Sequence, residues 1–223
     1  MQRRFDLVVL DLDGTLVDSE ALLVGLVNTV LTQGGFPSAA PQTVATAIGL
    51  PLEEVFRRAA PCLEAETLQL LCTRYRTHAD SDAFVRQFRL YPDVTETLVA
   101  LRDAGLRLVV GTSKGRATTL DIVRHCAIDG TIDDVIGGDC VARGKPHPEM
   151  VQQALRTFAT DASRALMVGD TAFDIEMGQA AGVATCAVTY GMHPRAALQA
   201  LQPDFMIDRF GELHQVVTGA SEH

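Results

Sequence analysis

The chain has 223 residues, enough for one sizeable core or for a core domain with a smaller companion. At 47% hydrophobic and 21% charged, with no low-complexity tract or internal repeat, its composition is that of an ordinary globular protein. A formal net charge of -9 and a pI near 5.1 argue against a nucleic-acid partner, which needs a basic stripe to displace counterions, yet leave room for a small anionic substrate beside a metal.

Met1 to Asp6 contain neither a long apolar core nor a small-residue cleavage site, and no later apolar run is long enough to cross a bilayer. A soluble, cytoplasmic protein with no membrane partner is expected. Leu7-Val8-Val9-Leu10 is a short unbroken apolar run, the pattern of a strand buried on both faces of a parallel sheet. Asp11-Leu12-Asp13-Gly14-Thr15 comes directly after it. Residues two apart on an extended chain point the same way, so Asp11 and Asp13 converge beyond the strand's carboxyl end. Converging anions need a cation between them or a proton on one, which makes either a metal site or an acid paired with a nucleophile. A solvated turn is the plain alternative.

From Val17 to Phe84 the strand pattern disappears. Leu22, Leu26 and Val30 share one helical face, Leu52 to Ala60 form a second segment, and Leu68, Leu71 and Tyr75 mark a third. Gly34-Gly35-Phe36-Pro37 and Gly49-Leu50-Pro51 separate them. The pattern predicts an all-helical insertion of roughly seventy residues, within the range of a small domain. It divides the chain into a core of residues 1–16 and 85–223 and an inserted unit of residues 17–84. A module beside a strand's carboxyl end sits where open α/β sheets bind ligands, and can act as a lid. Arg57 and Arg58 on its second helix are candidates to meet a substrate carboxylate, or simply a solvated face.

Beyond the insertion, helix and strand alternate. Val94, Leu98 and Leu101 recur at helical spacing, and Ala104-Gly105 ends that helix before the apolar run Leu106 to Val110. Next comes Gly111-Thr112-Ser113-Lys114, where a hydroxyl with free N–H groups can hold a phosphoryl oxygen, or can cap the next helix. A weaker strand is expected at Ile132 to Ile136. In Arg143-Gly144-Lys145-Pro146-His147-Pro148 two prolines stiffen the loop that carries Lys145. An ammonium fixed there can neutralise charge that develops on a phosphate, although an isolated loop lysine is more often solvated surface. A helix marked by Val151, Leu155 and Phe158 leads to the run Ala165 to Val168, and then to Gly169-Asp170-Thr171-Ala172-Phe173-Asp174. Asp170 is a natural further oxygen donor to a hard cation such as Mg2+, with helix capping as its rival role. Asp174, one helical turn on, can orient Lys145 or support the metal shell. Thr185 to Thr189 close the series. Alternating strands and helices define an α/β core with a parallel sheet and right-handed crossovers. In such a sheet the strand ends share one edge, so Asp11, Asp13, Thr112, Lys145, Asp170 and Asp174 are expected to meet there.

The five cysteines are scattered and read as reduced thiols, and His78, His147 and His193 have no ligand-like spacing and are assigned no role. No apolar seam reveals an oligomeric state; a monomer or homodimer is expected.

These residues together resemble the four motifs of the haloacid dehalogenase superfamily, matched in order along nearly the whole chain: Asp11-Leu12-Asp13-Gly14-Thr15, Thr112, Lys145-Pro146, and Gly169-Asp170 with Asp174. The helical insertion looks like that superfamily's first type of cap on a Rossmann-like core. Asp11 to Ser19 (DLDGTLVDS), Gly144 to Pro148 (GKPHP) and Thr189-Tyr190-Gly191 are similar to phosphoglycolate phosphatases. The resemblance implies Asp11 as nucleophile and Asp13 as acid and then base. It implies Mg2+ on Asp11, the Asp13 carbonyl and Asp170, with Thr112, supported by Ser113, and Lys145 on the phosphoryl group. It points to a small phosphorylated metabolite, 2-phosphoglycolate first, with pyrophosphate, a sugar phosphate or a nucleotide as alternatives. True dehalogenases of the superfamily lack the second aspartate. Mutases similar to β-phosphoglucomutase usually carry valine where Thr15 stands, and a cap arginine where this chain reads Gly49-Leu50-Pro51-Leu52. A phospho-accepting receiver module shares the acidic cluster but is about half as long and has no helical insertion.

Overall fold

The computed structural model describes residues 4–219. Six strands, β1 (Leu7–Leu10), β2 (Arg107–Gly111), β3 (Asp134–Ile136), β4 (Ala165–Gly169), β5 (Ala184–Val188) and β6 (Phe205–Ile207), form one parallel sheet in the order β3-β2-β1-β4-β5-β6. β1 lies in the middle, with Leu10 opposite Val110 on one side and Val168 on the other. Strand order reverses at this point, so the crevice at the carboxyl ends of β1 and β4 is the switch point where such sheets bind ligands.

The helices are α1 (Glu20–Gln33), α2 (Pro41–Ala45), α3 (Leu52–Ala59), α4 (Ala65–Ala79) and α5 (Asp82–Val85), then α6 (Val94–Asp103), α7 (Arg116–His125), α8 (Glu149–Thr157), α9 (Ala172–Ala181), α10 (Arg195–Ala200) and α11 (Leu213–Thr218). Every residue of β1 is fully buried. Its alternate side chains serve two faces: Leu7 and Val9 join Met150 and Val151 of α8, whereas Val8 and Leu10 join Leu98 and Leu101 of α6. This double burial is why the strand reads as a continuous apolar run.

β3 is shorter than the expected Ile132 to Ile136. The carboxylate of Asp133 accepts from Leu108 N–H at 2.8 Å, so a side chain takes the place of the next backbone rung. β6 lies outside the sequence expectation: only three residues long, it is an edge strand with just Ile207 buried. A short, half-covered strand leaves no apolar run to read.

Helices α1 to α5 all lie between β1 and β2, and α4 packs against both α1 and α3. Leu23, Val27, Val30 and Leu31 of α1 and Leu68, Leu71 and Cys72 of α4 are buried. The chain enters and leaves this helical insertion through two adjacent linkers, joined by an antiparallel bridge between Val17 and Leu90. Asp18 N–H bonds Arg89 O at 2.9 Å and Tyr91 N–H bonds Leu16 O at 3.0 Å. Among the described residues no helix is long and apolar enough to cross a membrane.

Candidate active site

Asp11 continues the ladder of β1 for one bond, its N–H reaching Val168 O at 2.9 Å, and then turns its side chain out at the carboxyl edge. Asp11 Oδ1 accepts from Leu12 N–H at 2.7 Å and lies 2.6 Å from Lys145 Nζ. The same ammonium lies 2.7 Å from Asp174 Oδ1, and Lys145 is buried between the two carboxylates. Lys145 is therefore no solvated loop residue.

Asp174 is fixed from its other oxygen, which accepts from Thr171 N–H at 3.1 Å and Thr171 Oγ1 at 2.6 Å. Thr171 and Asp174 form the capping box that starts α9. Capping therefore falls to Thr171 and not to Asp170, whose carboxylate is left to the site. Asp170 Oδ1 accepts from Thr15 Oγ1 at 2.9 Å, and its Oδ2 from Met192 N–H at 2.8 Å. Gly14 turns beneath it at φ +80.

Asp13 is held separately. Ser19 Oγ donates to Asp13 Oδ1 at 2.8 Å, and Lys114 Nζ lies 3.2 Å from Asp13 Oδ2. The Lys114 ammonium also sits 5.4 Å from the centroid of the Phe88 ring. The two carboxylates of the DxD pair thus face different ammonium groups, Lys145 for Asp11 and Lys114 for Asp13.

Burial dominates the electrostatics. It raises the Asp11 carboxyl well above the usual carboxylate range, while Lys145 pulls it back down. Burial, together with the charge of Asp174, pushes Asp170 up to about 7. Burial opposes the charged form of Lys145, but Asp11 and Asp174 outweigh it and hold the ammonium above its ordinary value. One oxygen from each of Asp11, Asp170 and Asp174 lies within 4.8 Å of the others. Three buried carboxylates against a single ammonium leave an excess of negative charge, and hard oxygen donors in that arrangement fit a divalent cation such as Mg2+.

Above these groups lies a cavity of about 520 Å3, with Asp11, Asp13, Thr112 and Lys114 on the sheet side and Ile48, Leu50, Val55 and Tyr75 on the helical side. Thr112 and Ser113 do not cap α7, which starts at Arg116 with Gly115 before it. Thr112 Oγ1 accepts from Lys114 N–H at 3.2 Å, and Ser113 Oγ donates across the cavity rim to Gly49 O at 2.6 Å. The structure therefore brings together Asp11, Asp13, Thr112, Lys145, Asp170 and Asp174, with Ser113 at the rim.

Arg57 and Arg58 are not brought there. Both are exposed and absent from the cavity wall, and the Arg58 guanidinium lies over the Phe173 ring at 5.5 Å. The cations that do line the cavity are Lys114 and Arg76, the latter paired with Glu53 at 2.7 Å. Neither was given a role on sequence grounds, nor was Ser19 or the loop after β5. Lys114 comes directly after Ser113, and its place next to a strand end was the available signal.

A buried cluster of carboxylates and a lysine thus lies at the switch point of a parallel sheet, beneath a helical insertion. Residues 8–188 match the family model for haloacid dehalogenase-like hydrolases, and the chain belongs to that family. A phosphoglycolate phosphatase from Cupriavidus necator is 32% identical over 96% of this chain and 93% of its own length. A pyrophosphatase from Bacillus cereus is likewise 32% identical, over 96% of this chain and 97% of its own. The crystal structure of a haloacid dehalogenase-like family hydrolase from Streptococcus pneumoniae superposes with a TM-score of 0.83 at 27% identity, covering 94% of this chain and 97% of that one.

Proposed function

We propose that this protein is a Mg2+-dependent phosphatase that hydrolyses a small phosphomonoester through a phosphoryl group carried on Asp11. The observation that carries the reading is the buried Asp11–Lys145–Asp174 chain with Asp170 beside it. Asp11 Oδ1 is taken up by Lys145 and Leu12 N–H, whereas its Oδ2 has no hydrogen bond among the described residues, so Oδ2 is the attacking oxygen. Lys145 neutralises charge on Asp11 and on the incoming phosphoryl group, while Asp174 and the Thr171 cap keep the ammonium in place. Asp13 donates a proton to the leaving oxygen and then accepts one from the water that attacks the acyl-phosphate. The Thr112 hydroxyl, with Ser113 beside it, steadies the transferred group. Asp11, Asp170 and the backbone carbonyl of Asp13 would hold Mg2+, which supplies Lewis-acid polarisation of a phosphoryl oxygen.

In this reading residues 17–84 form a cap over a core of residues 1–16 and 85–223, and the cavity between them receives the leaving group. Both cations on that cavity are paired, Lys114 with Asp13 and Arg76 with Glu53. The phosphoglycolate phosphatase relative makes 2-phosphoglycolate the first substrate to test. The pyrophosphatase relative supports inorganic pyrophosphate as the second. At the cap turn Leu50, Pro51 and Leu52 offer no cation for a distal phosphate, and Thr15 is engaged with Asp170; both favour hydrolysis over a mutase reaction.

The test is phosphate release from 2-phosphoglycolate, pyrophosphate, hexose phosphates and mononucleotides, with Mg2+ and with chelator. Multiple turnovers of 2-phosphoglycolate that stop on chelation are expected. Preference for pyrophosphate would replace the substrate and keep the chemistry. Label that accumulates on Asp11 without turnover would replace the enzyme with a switch.

A further inference from the structure

The loop after β5, Tyr190 to His193, touches the paired linkers, the acidic cluster and the helical insertion. Tyr190 donates its hydroxyl to Thr15 O at 2.9 Å, and its ring tilts against Tyr91, with centroids 4.6 Å apart, beside the paired linkers. Met192 N–H holds Asp170 Oδ2 at 2.8 Å. His193 reaches the insertion. Its Nδ1 accepts from Ala172 N–H at 3.1 Å, and its Nε2 lies 3.1 Å from Thr46 O. An amide N–H can only donate, so Nδ1 bears no proton; the hydrogen of the neutral ring sits on Nε2 and points at the Thr46 carbonyl.

The surroundings reinforce this contact. His193 is 8% exposed and stands edge-on to Phe173 at 5.3 Å. Gly49 has φ +103, and a Cβ there would come within 3.2 Å of both Phe173 and Thr171. The backbone of the turn from Thr46 to Gly49 therefore lies directly against the start of α9. Ser113 grips the same turn from the β2 side through Gly49 O.

We infer that His193 is a positioning residue that latches the Thr46–Gly49 turn onto the first turn of α9, and that the Tyr190–His193 loop thereby joins seating of the helical insertion to the Asp170 carboxylate. The inference rests on the phosphatase reading for its kinetic consequence alone. Seating this turn sets Ile48 and Leu50 as the cavity wall over Asp11. When the latch is lost the binding-competent arrangement is less populated, and apparent affinity falls by the same fraction.

Two substitutions separate the arms of the imidazole. His193→Asn can place an amide oxygen near the Nδ1 position and keep the Ala172 bond, but cannot reach Thr46. His193→Gln can reach the Nε2 position and keep the Thr46 bond. With Mg2+ present, the KM for the best substrate of the panel should rise about three- to tenfold in His193→Asn, as expected for one lost hydrogen bond, with kcat changed far less. His193→Gln should stay within about twofold of wild type. Hydrogen exchange over residues 44–50 should quicken in His193→Asn and not in His193→Gln. Equal behaviour of the two variants, or unchanged exchange in His193→Asn, overturns the latch. If the wild-type protein turns over no phosphomonoester, the phosphatase reading fails, and the exchange measurement still decides the latch.

Discussion

Gly14 lies so close to Asp170 that a Cβ placed on it would stand 2.2 Å from Asp170 Oδ2. Asp170 cannot step aside without giving up Thr15 Oγ1 or Met192 N–H. Gly14→Ala also forces a side chain onto a backbone at φ +80. The substitution should weaken Mg2+ activation by about 10–100-fold, the usual penalty for disturbing groups that orient a metal ligand. Activity titrated against Mg2+ concentration checks it.

The two motif aspartates should fail differently. Asp11→Asn removes the proposed nucleophile and should abolish turnover and phosphoryl labelling together. Asp13→Asn should slow turnover by about 10²–10⁴-fold, the range for a lost general acid–base. Wild-type-like rates in Asp11→Asn would rule out the covalent route.

Lys145 balances two buried carboxylates. Lys145→Met leaves them uncompensated and should cost about 3–5 kcal/mol in metal-free protein, measured by urea unfolding. Adding Asp174→Asn removes one of the stranded charges, so the double variant should be more stable than Lys145→Met alone.

Burial holds His193 below the ordinary histidine value; Arg58 opposes its charge too, while the Thr46 carbonyl, Asp174 and Glu176 favour it. A depressed folded pKa means that the unfolded chain binds the proton first. The stability from a neutral His193 is present above about pH 6.5 and is lost as pH falls through the folded value. On moving from pH 7 to pH 5, wild type should therefore lose more stability than His193→Gln. The urea midpoints of both proteins at the two pH values measure this, and effects of Asp170 common to both cancel.

The parallel sheet and the meeting of Asp11, Asp170 and Lys145 were legible because a central strand writes itself as an apolar run, and an aspartate directly after the run marks its carboxyl end. Legibility ended where structure depends on partners far apart in sequence. Thr15 shows no reason to donate to a carboxylate until Asp170, 155 residues on, arrives beside it. Lys114 and Lys145 are both loop lysines by sequence; only burial separates either from the solvated surface kind. Arg57 and Arg58 look like substrate cations because they lie on the right helix, but neither lines the cavity, and Arg58 lies over the Phe173 ring instead.

The antiparallel bridge between Val17 and Leu90 also bears on how the scaffold can change. Because the entry and exit strands of the insertion run side by side, the intervening stretch behaves as a cassette whose two ends are already stitched together. Exchanging it between relatives would replace the wall formed by Ile48, Leu50, Val55 and Tyr75 and leave Asp11, Asp13, Thr112 and Lys114 in place, so one side of the cavity can change as a single contiguous piece.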